Sequence, residues 1–171
     1  MGKMLRGRDK YKVEDIGEGK VLLTNMNKVR NKDLGPFKIV ISCVDLDNIN
    51  LDKLSRKTRG KKSVYGYWQE NGKTELVHRW VVGLKSGDGS EDFEVHHHRG
   101  YGDIQTSLNN SRSNLFILTK DQHNAVHYTI KEGKKLKYAF ECDDANRKIL
   151  GLKSREEFLK EEKFFEGLCT V

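Results

Sequence analysis

Apolar positions along the chain come in short runs, not in long periodic stretches. Val21-Leu22-Leu23-Thr24 and Phe37 to Val44 read as strands, with Asn31-Lys32-Asp33-Leu34-Gly35-Pro36 supplying turn chemistry between them. Leu46 to Leu54 is ambiguous, a weak helical period (Leu46, Ile49, Leu54) among competing Asp and Asn residues. Val64 to Glu70 and Lys73 to Val82 flank Asn71-Gly72 and predict a hairpin, because a type I′ turn needs positive φ at both central positions. Phe93 to His97 predicts a further strand and Leu115 to Leu118 another; residues 98–113, rich in Gly, Asn, Ser and Asp, read as a loop. Thr119-Lys120-Asp121-Gln122 has capping-box spacing and opens a helix expected to close near Gly133. Asp143 to Leu150 predicts a short helix closed by Gly151. Ser154-Arg155-Glu156-Glu157 is a second capping box, before a helix carrying Phe158, Leu159, Phe164 and Phe165. These last two helices have the layout of a helix-turn-helix, but glutamates on the final one repel phosphate, so a packing role is preferred.

Composition narrows the class. The chain has 171 residues, enough to bury a core without staples, and no internal repeat or low-complexity linker. Its formal net charge of +7, with 33% charged residues, favours a polyanionic partner. No run approaches ~18 apolar residues, so no membrane span is expected, and the N-terminus lacks signal-peptide and myristoylation patterns. Cys43, Cys142 and Cys169 form no Cys-x-x-Cys pair, which excludes a zinc ribbon; Cys43 reads as a buried thiol, and reduced cysteines in a cytoplasmic setting are expected. Positive charge concentrates in an N-terminal arm (Lys3, Arg6, Arg8, Lys10 and Lys12 against Asp9) and in the run from Lys53 to Lys62. From that run Arg56, Lys57, Arg59, Lys61 and Lys62 are candidate phosphate contacts, which supply affinity and not sequence choice. Tyr65, Tyr67 and Trp68 read as packing aromatics before base-stacking ones.

The candidate chemistry lies in histidine. Five of the six histidines fall between Phe93 and Tyr128, and the sixth, His78, is just upstream on an expected strand, where it reads as structural. Four residues separate His123 from His127, which sets both imidazoles on one helical face about a turn apart. Two strands and a helix would carry His96, His97, His123 and His127 toward one point, a metal site with an extra histidine beside it.

The pattern Val95-His96-His97, a loop, Asn110 and Asn114-Leu115, then Leu118-Thr119 and His123-x-x-x-His127 resembles the HNH (ββα-metal) endonucleases, including the bacteriocin DNases and phage and intron-borne nucleases. Leu76-Val77-His78-Arg79-Trp80-Val81-Val82 is also similar to the "VHR" strand that precedes the motif in phage-type members. The resemblance covers roughly His78 to Tyr128; a third histidine, His98, and a longer loop are its departures. It implies an α+β fold: a ββα-metal core over 63–133, an N-terminal β-rich segment over 1–62 and a C-terminal helical segment over 134–171. His96, His123 and His127 would be the metal ligands, His97 the general base, and Asn114 the residue holding the loop that orients the base. Spacing alone leaves His97 as ligand with His98 as base, or His98 assisting the metal, since strand alternation sends His96 and His98 to one face. Arg112 and Arg99 in the loop are candidates to steady transition-state charge or contact DNA, as is Arg79 on its strand.

The implied activity is hydrolysis of double-stranded DNA with one divalent ion, Mg²⁺ or Mn²⁺ with Zn²⁺ or Ni²⁺ as alternatives, in the cytoplasm of a bacterial or phage-infected cell. A homing or other phage-encoded enzyme leads, a restriction-type endonuclease follows, and a toxin-type nuclease ranks low. A non-catalytic zinc-stabilised DNA-binding module is the competing class. Monomer and dimer both remain open. With a base at the reference histidine pKa, the rate would rise from about pH 5.5 to a plateau near ~7.5.

Overall fold

The computed structural model describes residues 10–27, 35–59 and 63–164. Lys3, Arg6 and Arg8 of the expected arm, most of the turn before Pro36, Lys61, Lys62, Phe165 and Cys169 lie outside the described residues.

The first sheet joins β1 (Tyr11–Gly17), β2 (Lys20–Asn25) and β3 (Lys38–Ser42) antiparallel, with β8 (Asn109–Asn110) added parallel to β3. Val21 and Leu23 alternate into the core, and Ile39, Val40 and Ile41 are buried on both faces of β3. β1 takes up the end of the expected arm: Tyr11 is buried and donates its hydroxyl to the Leu54 carbonyl, as Lys10 Nζ does. The second sheet is the meander β4 (Ser55–Arg59), β5 (Ser63–Glu70) and β6 (Lys73–Leu76). Asn71 (φ 50°) and Gly72 (φ 75°) make the β5–β6 turn with both residues left-handed, as the Asn-Gly pair demands.

The expected strand Lys73 to Val82 stops at Leu76 and becomes a short helix, α1 (Val77–Val81). Tertiary packing overrides the β propensity of the valines here. Gly66 on β5 leaves a space that a Cβ would fill to within 2.9 Å of Val77 and 2.6 Å of Ile39, and the coil seats Val77 and Val81 in the core over it.

A third, two-stranded sheet pairs β7 (Phe93–His97) antiparallel with β9 (Leu115–Thr119), followed by α2 (Lys120–Tyr128). β9 is apolar from Leu115 to Leu118 because both its faces are covered: Leu115 and Ile117 join the main core, Phe116 and Leu118 a second cluster with Val126 and Ala139. α2 starts at the expected capping box, Thr119 and Gln122 each bonding the other's backbone N–H. The helix expected over 143–150 is longer, α3 (Glu132–Ile149), and Gly133 sits in its first turn instead of closing α2. Its buried face is Ala139, Asp143, Asn146 and Arg147, so a hydrophobic period could not reveal it. Asp143 accepts from the Ile117 N–H (2.6 Å), Arg147 Nε (2.9 Å) and Arg155 Nη1 (2.8 Å), tying β9, α3 and α4 (Arg155–Phe164) together. α4 opens on the second expected capping box, Ser154 with Glu157.

The class is mixed α+β with several small sheets. Among the described residues no helix is long and apolar enough to cross a membrane. The expectation of free thiols holds for Cys142 but not for Cys43, which is disulfide-bonded.

Candidate metal centre and adjoining clefts

Strand alternation sends Glu94 and His96 to the face of β7 that α2 covers, and the i,i+4 spacing on α2 brings His123 and His127 to the same point. One ligand atom from each of His96, His123 and His127 lies within 4.8 Å of the others. Ring centroids are 5.3 Å apart for His96–His123, 5.0 Å for His96–His127 and 4.6 Å for His123–His127, and the two Nε2 atoms on α2 are 3.2 Å apart. His123 Nδ1 sits 2.7 Å from Glu94 Oε2, so Nδ1 carries the proton and Nε2 keeps its lone pair. This is the carboxylate–imidazole pairing that orients metal ligands. His96 Nδ1 is buried without a hydrogen-bond partner, a cost that a bound cation would remove. Burial, then the neighbouring His123 and His127, lowers the His96 pKa to about 3, and burial also lowers that of His123 against the opposing pull of Glu94. Imidazoles held neutral are ready to ligate. The donor set thus fits one divalent ion, and three nitrogens suit Zn²⁺ or Ni²⁺ better than the more oxygen-seeking Mg²⁺ and Mn²⁺.

His97 turns to the opposite face of β7, against His78 and Tyr65 at centroid distances of 5.0 and 6.3 Å. Its Nε2 donates to Asn110 Oδ1 at 3.0 Å, which leaves Nδ1 with the lone pair. Burial is the main cause that lowers its pKa to about 4, while the Asn110 bond works in the other direction. Asn110 is itself fixed by the parallel pairing of β8 with Ile41 on β3. Asn114 spans the loop: its Oδ1 accepts the Arg99 N–H (2.9 Å), its Nδ2 donates to the Asn109 carbonyl (2.8 Å), and its own carbonyl accepts the His98 N–H (3.0 Å). His97, His123 and His127 line one cleft of about 420 Å³ with Tyr65, Gln105 and Ser107. In the β7–β9 sheet the other edge of β7 has no strand partner among the described residues.

The remaining expected site residues are dispersed. His98 lines a separate cleft with Arg99, Tyr101 and Asn109, and packs on Phe116. Arg112 is buried: Nε and Nη2 bind Asp45, and Nη1 binds Glu161 and the Phe158 carbonyl. Those acids raise its pKa against the effect of burial. Expected to steady transition-state charge, it instead joins the loop to α4, because buried Asp45, half-buried Glu161 and the Phe158 carbonyl claim its fork. Arg79, on α1 and not on a strand, donates to the Phe93 and Ser90 carbonyls and to Ser90 Oγ. Lys57 and Arg59 line a second cleft, whereas Arg56 donates to the Gly35 carbonyl. His78 is buried beside His97 with Nδ1 unpartnered, and burial above all, then the neighbouring His97, lowers its pKa well below the histidine norm.

Sequence reasoning gave no role to Glu94 or to an Asn110–His97 bond. Glu94 was within reach, since it stands two residues before His96 on the same strand face. Asn110 was not, since only the β8–β3 pairing places it.

No protein-family model matches this chain, and neither the curated proteins nor the solved structures yield a match.

Proposed function

We propose that this chain is a metal-dependent HNH-type endonuclease acting on double-stranded DNA. The observation that carries the reading is the division of labour across one strand: three converging imidazoles on one face of β7, and a fourth histidine, held by Asn110, on the other. His96, His123 and His127 would hold the ion, with Glu94 fixing the His123 tautomer. A bound divalent ion supplies charge stabilisation for phosphate oxygens and for the departing 3′ oxygen.

His97 is the general base. Its Nδ1 takes a proton from the attacking water as that oxygen bonds to phosphorus; the bond from phosphorus to the 3′ oxygen breaks, and that oxygen takes a proton from solvent. The products are 5′-phosphate and 3′-hydroxyl ends. Asn114 and Asn109 keep the loop beside the base closed. The metal-capable group has three protein donors among the described residues, where a structural zinc site takes four. That difference favours the enzyme over a zinc-stabilised binding module.

Plasmid incubated with the protein and Mn²⁺, Zn²⁺, Ni²⁺ or Mg²⁺ tests the reading. Cleavage that a chelator abolishes is expected. DNA binding with no cleavage under any of these ions would leave the binding-module reading instead.

A further inference from the structure

The cleft that Lys57 and Arg59 line, about 700 Å³, shares Ser63, Tyr65, Val95 and His123 with the cleft over His97. The two therefore run together along the edge of β7 that has no strand partner among the described residues. The volume lies within the range of about 300–1,000 Å³ usual for ligand sites. Register decides which cations face it: Lys57 pairs with Tyr65 and Arg59 with Ser63 across β4 and β5, so these four share one sheet face, and Arg56 is on the other.

Resting on the nuclease reading above, we propose that this cleft is a second phosphate subsite, holding a non-scissile phosphodiester of the strand whose neighbouring phosphate lies at the metal centre. Among the described residues Arg59 makes no hydrogen bond or ion pair, and Lys57 has none either, its Nζ lying 5.9 Å from the Tyr67 ring centroid. The one carboxylate lining the cleft, Glu94, is engaged with His123. Arg79 adds a third positive charge, fixed in place by Ser90 and the Phe93 carbonyl. Thr74 Oγ1 accepts from Gln69 Nε2 and keeps its own hydrogen to donate, as a phosphate oxygen requires. An anion here meets Lys57, Arg59, Arg79 and hydroxyl donors, against the single carboxylate of Glu94. The wall of the subsite is also the wall of the base: Tyr65 packs on His78 at 5.2 Å and His78 on His97 at 5.0 Å. A phosphate seated beside Tyr65 thus sets the strand in register with His97.

The test uses DNA duplexes in which one phosphate near the scissile bond is replaced by a neutral methylphosphonate, position by position. In the wild type, one flanking position should raise KM about tenfold, the effect of removing one charge-assisted hydrogen bond. A Lys57→Gln/Arg59→Gln variant should show the same rise on unmodified DNA and no further rise from that methylphosphonate. Equal methylphosphonate effects in both proteins, or an unchanged KM in the variant, overturn the subsite. Bis(4-nitrophenyl) phosphate, which has no neighbouring phosphate, tests the metal centre of the wild type by itself. If the wild type hydrolyses neither it nor DNA with any of the four ions, the nuclease reading falls and takes the subsite with it.

Discussion

A metal ligand and a general base make different demands on an imidazole, and the proposed function asks both of two adjacent residues. His96 keeps a buried, unpartnered Nδ1 on the face of His123 and His127, whereas His97 spends Nε2 on Asn110 and keeps Nδ1. His97→Ala should therefore lower the cleavage rate by about 10²–10⁴-fold with metal affinity kept. His123→Ala should lose the metal itself. Calorimetric titration beside single-turnover cleavage separates the two, and lost metal affinity in His97→Ala would exchange the roles. The pH profile follows from burial. A base works when neutral, and a lowered pKa widens the pH range in which it is neutral. With His97 at about 4, the rate at saturating metal should rise as pH climbs through about 4 and be level above about 6. A midpoint near 6.5 would place the base in open solvent. The sequence carries the residue types and the strand alternation, but not the burial that moves this limb acidward, nor the Asp45 and Glu161 that claim Arg112.

At the scale of elements, α2 does most to build the candidate centre, since one helix supplies two of its three imidazoles and β7 needs only to bring His96 and Glu94 against it. Thr119→Ala removes half of the capping box and should cost about 0.5–2 kcal/mol of stability in thermal or denaturant unfolding. Glu94→Gln leaves the fold intact but loosens the His123 tautomer, so metal affinity should drop about 10–100-fold by titration. Unaltered affinity would show Glu94 to be a surface ion pair only. Elements specified by neighbouring residues were legible in the sequence: both capping boxes and the Asn71-Gly72 turn are settled within four residues. Elements specified by distant partners were not. α1 coils because Gly66 leaves room for Val77, and α3 hides behind a buried face of Asp143, Asn146 and Arg147, whose partners lie on β9 and α4.

Across the whole molecule, a net charge of +7 gives a general attraction to polyanions, and the fold decides where that attraction is focused. The charge run before Ser63 was plain in the sequence; its division was not, because only the β4–β5 register sends Lys57 and Arg59 toward the histidines and Arg56 toward Gly35. Replacing Lys57 and Arg59 with glutamine should flatten the slope of log affinity against log salt by about 0.9 for each phosphate that is no longer neutralised. Arg56→Gln should leave the slope alone; equal flattening by all three would mean that the run acts as a diffuse charge with no facing side. The central claim is that a single ion on His96, His123 and His127 switches on DNA hydrolysis. Metal-free protein titrated with Mn²⁺ or Zn²⁺, with plasmid cleavage followed at each addition, tests it most directly. Cleavage should rise in proportion to added ion and level off at one ion per chain; cleavage indifferent to metal, or none at any metal level, would contradict it.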